Sequence, residues 1–127
     1  EMSASLVGSE MCIRDRISDM TSLYATTSIF ALPSRVEGFP MVLLEAMSQG
    51  CICCAFEIGG AVKEMMSPSS GSIVKDNELF LFEQELKKLM DQYPNYNKYQ
   101  ESGYKDASRF TCDAFYCQWD KIIKSLL

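Results

Sequence analysis

Residues 28–56 restrict the fold of this chain most, because two strand-like runs flank one helix-like segment. Ser28–Pro33 is an apolar run of strand length, and Cys51–Phe56 is a continuous apolar run of the same kind. The Pro40–Gln49 segment between them suits a helix that Pro40 opens and Gly50 closes, since proline belongs in a first turn and glycine can adopt the left-handed cap. A strand that is apolar at every position is typical of a parallel sheet covered on both faces. The pattern predicts an α/β fold.

The remaining segments continue the alternation and then become helical. We predict a short helix at Ile17–Thr27, another at Val62–Met66 after the glycine turn of residues 57–61, and a third strand at Ser72–Val74. Beyond it we predict three helices. Asn77 can cap the first, whose apolar face would comprise Leu79, Phe82, Leu86, Leu89 and Met90; Thr111 can cap the last, whose face would comprise Phe115, Trp119, Ile122 and Ile123. About three strands with flanking helices predict a partial Rossmann-like parallel sheet.

Length and charge exclude several classes of protein. The 127 residues allow one ordinary domain, and 47% hydrophobic with 23% charged residues is the balance of a soluble globular protein. The net charge of −5 and the pI near 4.7 provide no basic field for nucleic acid. No apolar run approaches the roughly 20 residues of a membrane-spanning helix. We therefore expect no nucleic-acid partner and no transmembrane segment.

The six cysteines and the absence of histidine narrow the chemistry further. Cys51, Cys53 and Cys54 alternate between the faces of one strand, so they cannot all converge on one ion. We expect buried, reduced thiols and no metal site, with a zinc site as the alternative. Without histidine the chain lacks the usual general base and cannot form a Ser-His-Asp triad by itself.

Two acids, Glu37 and Glu45, are separated by seven residues around the start of the predicted helix. Glu37 lies on the loop after the first strand, whereas Glu45 lies inside the helix, roughly 8 Å along its axis from Pro40. The carboxyl end of a parallel strand is where open α/β sheets bind ligands, and unpaired N–H groups at a helix start favour phosphate. The pair frames a candidate nucleotide site.

The first sixteen residues differ from the rest of the chain. Leu6–Arg16 has no clean helical or alternating periodicity, and it joins abruptly to a well-patterned sequence at Ile17. The segment resembles a translated reading frame of the transposase adaptor used in DNA sequencing libraries. We interpret residues 1–16 as an assembly artefact that has replaced the natural upstream sequence; the alternative is a frayed natural N-terminus.

The string Leu32–Gly50 resembles the signature of glycosyltransferase family 4, a retaining group with the two-domain GT-B fold. The family has two glutamates separated by seven residues, with Gly-Phe-Pro after the first and Glu-Ala-Met at the second, as here. Further similarity lies in Glu57–Gly60 followed by Glu64, in Ser70–Val74, and in Ala107–Phe110 with Trp119. The resemblance implies that residues 17–127 are the C-terminal portion of a GT-B donor-binding domain. It also implies that the acceptor domain and the basic diphosphate ligands lie upstream and are missing.

The resemblance assigns roles to the residues of the motif. Glu45 would accept hydrogen bonds from the ribose hydroxyls of a nucleoside-diphosphate sugar. Glu37 would be the catalytic residue beside the transferred sugar, where its carboxylate can bind sugar hydroxyls or stabilise positive charge that develops at the anomeric carbon. Backbone groups along the intervening run would bind the sugar and the diphosphate, and this run comprises Gly38, Phe39, Pro40, Met41 and Val42.

Structural alternatives exist for several of these residues. Glu37 can be a solvated loop acid, and Glu45, whose neighbours along the chain are apolar, can pair with Arg35 as a structural bridge. Met41, Val42, Leu44 and Met47 are most simply core residues. Glu64 is either a helix-surface acid or a contact of the donor loop.

The resemblance implies transfer of a sugar from a nucleoside diphosphate to a hydroxyl acceptor, in cell-surface polysaccharide or glycolipid biosynthesis. The full-length enzyme would be cytoplasmic, at the inner face of the membrane, and would require no metal or other cofactor. The truncated chain would be inactive alone, and its last helix would be exposed. The alternative is a non-catalytic nucleotide-sugar-binding or protein-interaction module, which would need Glu45 but not Glu37.

Overall fold

The computed structural model of the chain describes residues 17–92 and 96–126. Helices and strands alternate in its first part, and helices follow to the end. In chain order the elements are α1 (Met20–Ala25), β1 (Ile29–Leu32), α2 (Met41–Ser48), β2 (Ile52–Glu57), α3 (Ala61–Met65), β3 (Gly71–Lys75), α4 (Leu79–Asp91), α5 (Tyr96–Ser108) and α6 (Cys112–Leu126). The predicted α/β class is confirmed.

The three strands form one parallel sheet in the order β1-β2-β3. The register runs from Ile29 opposite Ile52 in the first pair and from Cys53 opposite Gly71 in the second. Parallel pairing places the carboxyl ends of β1 and β2 at the same edge of the sheet. The loops that follow these two strands are therefore neighbours.

The central strand β2 holds the core together. All residues from Ile52 to Phe56 are buried, as the continuous apolar run predicts for a strand covered on both faces. The Phe82 ring of α4 packs against Phe56 with centroids 4.7 Å apart. Helices α2, α3 and α5 also pack on β2. The core accordingly lies around this strand.

The start of α4 differs from the sequence prediction. Glu78 rather than Asn77 is the N-cap residue, and no side chain caps this end. Asn77 instead has a φ of 65°, a left-handed conformation that asparagine tolerates better than most residues. Asn77, which was expected to cap α4, thus lies in the turn that precedes this helix.

The apolar face of α4 is narrower than predicted. Phe82 and Leu89 are buried and Leu86 is half-buried, but Leu79 and Met90 are each 58% exposed. The prediction was wrong for these two residues, because at about 100° per residue they lie roughly 60° and 80° around the helix axis from Phe82, at the border of the face that packs on the core.

The last helix, α6, has a capped start and an uncovered apolar face. The Thr111 hydroxyl accepts a hydrogen bond from the Ala114 N–H at 3.2 Å, so the predicted cap is confirmed. No residue of α6 is buried. The exposure expected for its apolar residues is found at Phe115, Tyr116, Trp119, Ile122, Ile123 and Leu126.

The described cysteines fall into two groups. Cys51, Cys53 and Cys54 of the β2 region are buried free thiols, whereas Cys112 and Cys117 of α6 are exposed. Within residues 17–92 and 96–126, no three histidine, cysteine or acidic side chains are grouped to hold a metal ion. Over the same ranges no helix is both long and apolar enough to cross a membrane. The prediction for residues 1–16 lies outside the described residues.

Candidate active site

Glu37 lies half-buried in the loop between β1 and α2, at the carboxyl edge of the sheet. Its backbone carbonyl oxygen is 3.7 Å from the position that a Cβ would occupy on Gly59. Gly59 and Gly60 form the turn after β2, both with positive φ, which glycine adopts without steric cost. The two loops that parallel pairing brings together are therefore neighbours in space.

The start of α2 is shaped by Pro40. This residue is the N-cap, with φ −74° and ψ 84°, rather than the first helical residue as predicted. The Met41 N–H donates to the Phe39 carbonyl at 2.9 Å, so Pro40 is the centre of an inverse γ-turn. The Leu43 N–H donates to the Pro40 carbonyl at 3.0 Å. The Met41 N–H, expected to face the donor, is thus already paired.

Three other N–H groups at this helix entrance lack such a partner. Among the residues that the structure describes, no acceptor is bonded to the N–H groups of Gly38, Phe39 or Val42. A Cβ added at Gly38 would meet nothing within 4 Å. Open space next to unpaired donors is what an oxygen-rich ligand requires.

Glu45 is exposed, in contrast to the burial that its apolar neighbours along the chain suggest. It shares one face of α2 with Met41 and Ser48, which are also exposed, while the opposite face is buried. This follows from the 3.6-residue helical period, which separates adjacent residues by about 100°. Neither Glu45 nor Arg35 has an ion-pair partner among the described residues, so the alternative of a bridge between them is wrong.

The carboxylate of Glu45 nevertheless affects the pKa of a residue in α1, Tyr24. Burial raises the pKa of the Tyr24 hydroxyl, and the nearby carboxylate of Glu45 raises it further. Tyr24 is buried and its ring meets Phe30 edge to face, with centroids 5.6 Å apart. The Tyr24 side chain therefore stays neutral and well packed next to Glu45.

The other side chains of the motif divide between core and surface. Pro40 is buried and Val42 is half-buried against the core. Met41, for which a core position was the alternative, is 52% exposed. Phe39 is 44% exposed and meets the Phe110 ring edge to face, with centroids 5.7 Å apart. The backbone, more than these side chains, is thus presented at the site.

A cavity of about 270 Å³ opens beside the loop, between α2, α3 and the start of α6. Phe39 and Met41 line it from the motif, and Phe110 and Phe115 line it from the C-terminal part of the chain. Its polar lining includes the Glu64 carboxylate. Glu64 is exposed on α3, so the structure places it both at the helix surface and at this cavity.

Sequence reasoning missed two charged residues near the site, Asp106 and Arg109, of which Arg109 also lines this cavity. Asp106 is 8% exposed at the end of α5, and its carboxylate accepts a hydrogen bond from the Ser67 N–H at 2.7 Å. Arg109 donates to the carbonyl oxygens of Glu64 at 2.8 Å and Met65 at 3.3 Å. The spacing of three residues between an acid and a base in a helical pattern is the signal that could have found the pair.

A known protein family matches this chain over most of its length. A family model, Glycosyl transferases group 1, matches residues 7–106. The chain belongs to this family. The glycosyl transferases group 1 match includes the loop of Glu37, the helix of Glu45 and the Gly59–Gly60 turn that touches the loop.

Two curated proteins are similar to this group 1 chain. An exopolysaccharide phosphotransferase of Streptomyces coelicolor is 29% identical over 110 residues, which are 85% of this chain and 12% of that protein. A D-inositol 3-phosphate glycosyltransferase of Corynebacterium diphtheriae is 25% identical over 93 residues, which are 73% of this chain and 22% of that protein. The chain therefore spans less than a quarter of the length of either relative.

A solved structure shares the fold of this group 1 chain. The pneumococcal O-GlcNAc transferase GtfA, in complex with UDP and GlcNAc, superposes with a TM-score of 0.65 at 16% identity. The match covers 85% of this chain and 23% of that one. At this identity the comparison establishes only the fold, which corresponds to part of a GT-B glycosyltransferase.

Proposed function

We propose that this chain forms the donor-binding wall of a retaining family 4 glycosyltransferase. The observation that carries the proposal is the arrangement of Glu37 and Glu45 around the start of α2. Both carboxylates are without a hydrogen-bond or ion-pair partner among the described residues. Between them lie three unpaired N–H groups and the open space beside Gly38. Unpaired acceptors and donors at one sheet edge suit a ligand that carries both hydroxyls and phosphates.

Glu45 is proposed to bind the nucleoside part of the donor. Its exposed carboxylate has two acceptor oxygens, which suit the two vicinal hydroxyls of a ribose. Charge-assisted hydrogen bonds of this kind contribute about 1.5–3 kcal/mol each. The Val42 N–H, at the entrance of the same helix, would contact the diphosphate, and the paired Met41 N–H is no longer assigned to it.

Glu37 is proposed to act at the reacting carbon. The bond between the anomeric carbon and the diphosphate oxygen breaks while a bond to the acceptor hydroxyl oxygen forms on the same face. The acceptor proton then passes to the departing diphosphate. Positive charge develops at the anomeric carbon during this exchange, and a carboxylate beside it stabilises the transition state more than the ground state. The N–H groups of Gly38 and Phe39 would orient sugar hydroxyls against Glu37.

We propose that the acceptor is a hydroxyl group of a cell-surface polysaccharide or glycolipid. The exopolysaccharide phosphotransferase among the relatives supports the polysaccharide part of this choice. The complete enzyme would work in the cytoplasm, at the inner face of the membrane, and would use cationic side chains and helix dipoles rather than a metal to hold the leaving diphosphate. The 127-residue chain alone would be inactive, because an acceptor domain and diphosphate cations would come from other parts of the protein.

A full-length protein carrying this domain, expressed from the genomic locus, tests the proposal. A panel of UDP, GDP and ADP sugars would first identify the donor through its turnover. We expect Glu37→Gln to lower kcat by roughly 100-fold or more with little change in donor affinity. We expect Glu45→Gln to weaken donor binding by roughly tenfold or more.

The same substitutions separate a transferase from a binding module. A module that only binds nucleotide sugars would keep its donor affinity in Glu37→Gln and show no turnover in the parent protein. Glu83→Gln is the matched control, because Glu83 lies exposed on α4 in an ion pair with Lys87. Donor turnover that is insensitive to Glu37→Gln would overturn the catalytic role.

A further inference from the structure

Asp106 and Arg109 tie the end of α5 to the end of α3. The Asp106 carboxylate accepts from the Ser67 N–H at 2.7 Å and from Arg109 at 3.3 Å. Arg109 also donates to the carbonyl oxygens of Glu64 and Met65, the last residues of α3. These carbonyls have no partner within the helix, and a cation at a helix C-terminus is favourable. We refer to Asp106 and Arg109 together as the clasp.

Helix α3 depends on contacts of this kind for its position. It has only five residues, and its N-cap, Gly60, provides no side-chain hydrogen bond. A helix this short is not stable by itself in water. Its other anchors are the buried side chains of Val62 and Met65 and the exposed ion pair of Lys63 with Glu57 at 2.7 Å. The clasp is thus a polar anchor at its C-terminal end.

The N-terminal end of α3 lies next to the loop that carries Glu37. Gly60 begins the helix and Gly59 precedes it, and the Glu37 carbonyl oxygen lies 3.7 Å from a Cβ built on Gly59. A five-residue helix spans about 7.5 Å at 1.5 Å per residue. A shift of α3 at the clasp would therefore move the Gly59–Gly60 turn, which lies next to the backbone of Glu37.

A second route joins the clasp to the same loop. The Arg109 guanidinium lies 5.3 Å from the centre of the Phe110 ring, and this ring meets Phe39 edge to face with centroids 5.7 Å apart. Phe39 follows Glu37 by two residues. Cation–π and aromatic pairs each add to the stability of such contacts. Two sets of contacts thus connect the clasp to the loop of Glu37. One runs through α3, and the other runs through the rings of Phe110 and Phe39.

We infer that Asp106 and Arg109 are positioning residues that set the location of Glu37. The inference rests on the proposed function for its catalytic consequence. Its structural part, the coupling of the clasp to residues 37–39 and 59–60, is independent of that function. Arg109 also lines the cavity beside the loop, but both residues set the position of Glu37 through α3 or through Phe110.

Amide hydrogen exchange of the ¹⁵N-labelled 127-residue chain tests the coupling. Arg109→Met keeps the length of the side chain but removes its donors, and Lys124→Met is the matched control at an exposed pair with Asp120. We expect Arg109→Met to accelerate exchange by about tenfold or more at Met41 and Leu43, whose N–H groups donate to the carbonyls of Phe39 and Pro40 in this loop, and Lys124→Met to leave it unchanged. If Arg109→Met does not fold, Arg109→Lys is measured instead, since it keeps the charge and loses the forked geometry. Faster exchange confined to residues 64–67 would overturn the inference.

The catalytic consequence is tested in the full-length protein. We expect Arg109→Lys to lower kcat by about tenfold with donor KM changed less than about threefold, because Glu45 still binds the donor. A lower melting temperature with unchanged kcat would show a purely structural role and overturn the positioning assignment. If the parent protein transfers no sugar, the proposed function fails, and the exchange measurement still decides the coupling.

Discussion

The rings of Phe39 and Phe110 meet edge to face, with centroids 5.7 Å apart and an interplanar angle of 61°. Phe39 belongs to the loop that carries Glu37, whereas Phe110 lies between α5 and α6. The contact joins the first half of the candidate site to the C-terminal helices. A residue more than seventy positions away in the sequence therefore limits the freedom of the loop.

Phe110→Ala should destabilise the chain and loosen this loop. The substitution removes the ring contacts with Phe39 and with the Arg109 guanidinium. We expect a loss of about 1–3 kcal/mol in the free energy of unfolding, measured by urea denaturation. Tyr116→Ala is the control, because Tyr116 is 68% exposed on α6. Equal losses in both variants would show that the contact with Phe39 contributes nothing.

Substitution by alanine should strongly destabilise the chain at Gly71 and hardly change its stability at Gly38. A Cβ at Gly71 would overlap the Cys53 carbonyl across the parallel pair, so the strands would have to separate. We expect Gly71→Ala to cost about 3 kcal/mol or more in thermal unfolding, or to prevent folding. Gly38→Ala should change stability by less than about 0.5 kcal/mol, because its Cβ would face open space. In the full-length protein Gly38→Ala should still weaken donor binding, and unchanged affinity would contradict the role of this space.

Asp106 should make stability depend on acid pH. Burial alone would raise the pKa of its carboxyl group, but hydrogen bonds from Ser67 and Ser70 and the charge of Arg109 together lower it. A pKa that is lower in the folded state means that this contribution is present above the ordinary value of about 3.9 and is lost as pH falls through the folded value.

The comparison of Asp106→Asn with the parent chain across pH measures this effect. We expect the variant to be less stable by about 1–3 kcal/mol near neutral pH, since a buried charged acceptor is removed. The difference should shrink below about pH 4 as the parent carboxylate becomes protonated. Asp120→Asn, at an exposed pair with Lys124, is the control and should show little effect at any pH. A difference that is constant from pH 7 to pH 2 would refute the assignment.

The cysteines should react in two classes. Burial raises the pKa of the Cys54 thiol to about 11 and also raises those of Cys51 and Cys53. Cys112 and Cys117 are exposed on α6. At pH 8 we expect alkylation of the α6 thiols at least about a thousandfold faster than that of the β2 thiols, read by peptide mass spectrometry. Comparable rates in the native chain would mean that β2 is not covered on both faces.

The apolar face of α6 should drive self-association of the 127-residue chain. Trp119, Ile122 and Ile123 are each about half exposed and lie within two turns of one another. We expect Ile122→Lys to lower the sedimentation coefficient while leaving the helical circular dichroism unchanged. Met90→Lys, at an exposed apolar residue of α4, is the control and should not change the association. A parent chain that sediments as a monomer would contradict the prediction.

The sequence predicted the sheet well because the burial of β2 is encoded locally. A run of this length with no polar residue between Cys51 and Phe56 is typical of a strand covered on both faces. The Thr111 cap is equally local, since the hydroxyl and the Ala114 N–H are three residues apart. Asn77 shows the limit of such reasoning, because the same residue type suits a helix cap and a left-handed turn.

By itself the sequence determined the parallel α/β architecture, the glycosyltransferase motif and the order of Glu37 and Glu45 around the start of α2. Only the tertiary structure decided that Glu45 is exposed, that the Met41 N–H is already paired, and that Arg109 and Asp106 are hydrogen-bonded to Glu64 and Ser67. The physical reason is the distance along the sequence between the residues that determine each feature. Periodicity and caps depend on neighbours within one turn, whereas exposure and long-range hydrogen bonds depend on which distant segments the sheet brings together.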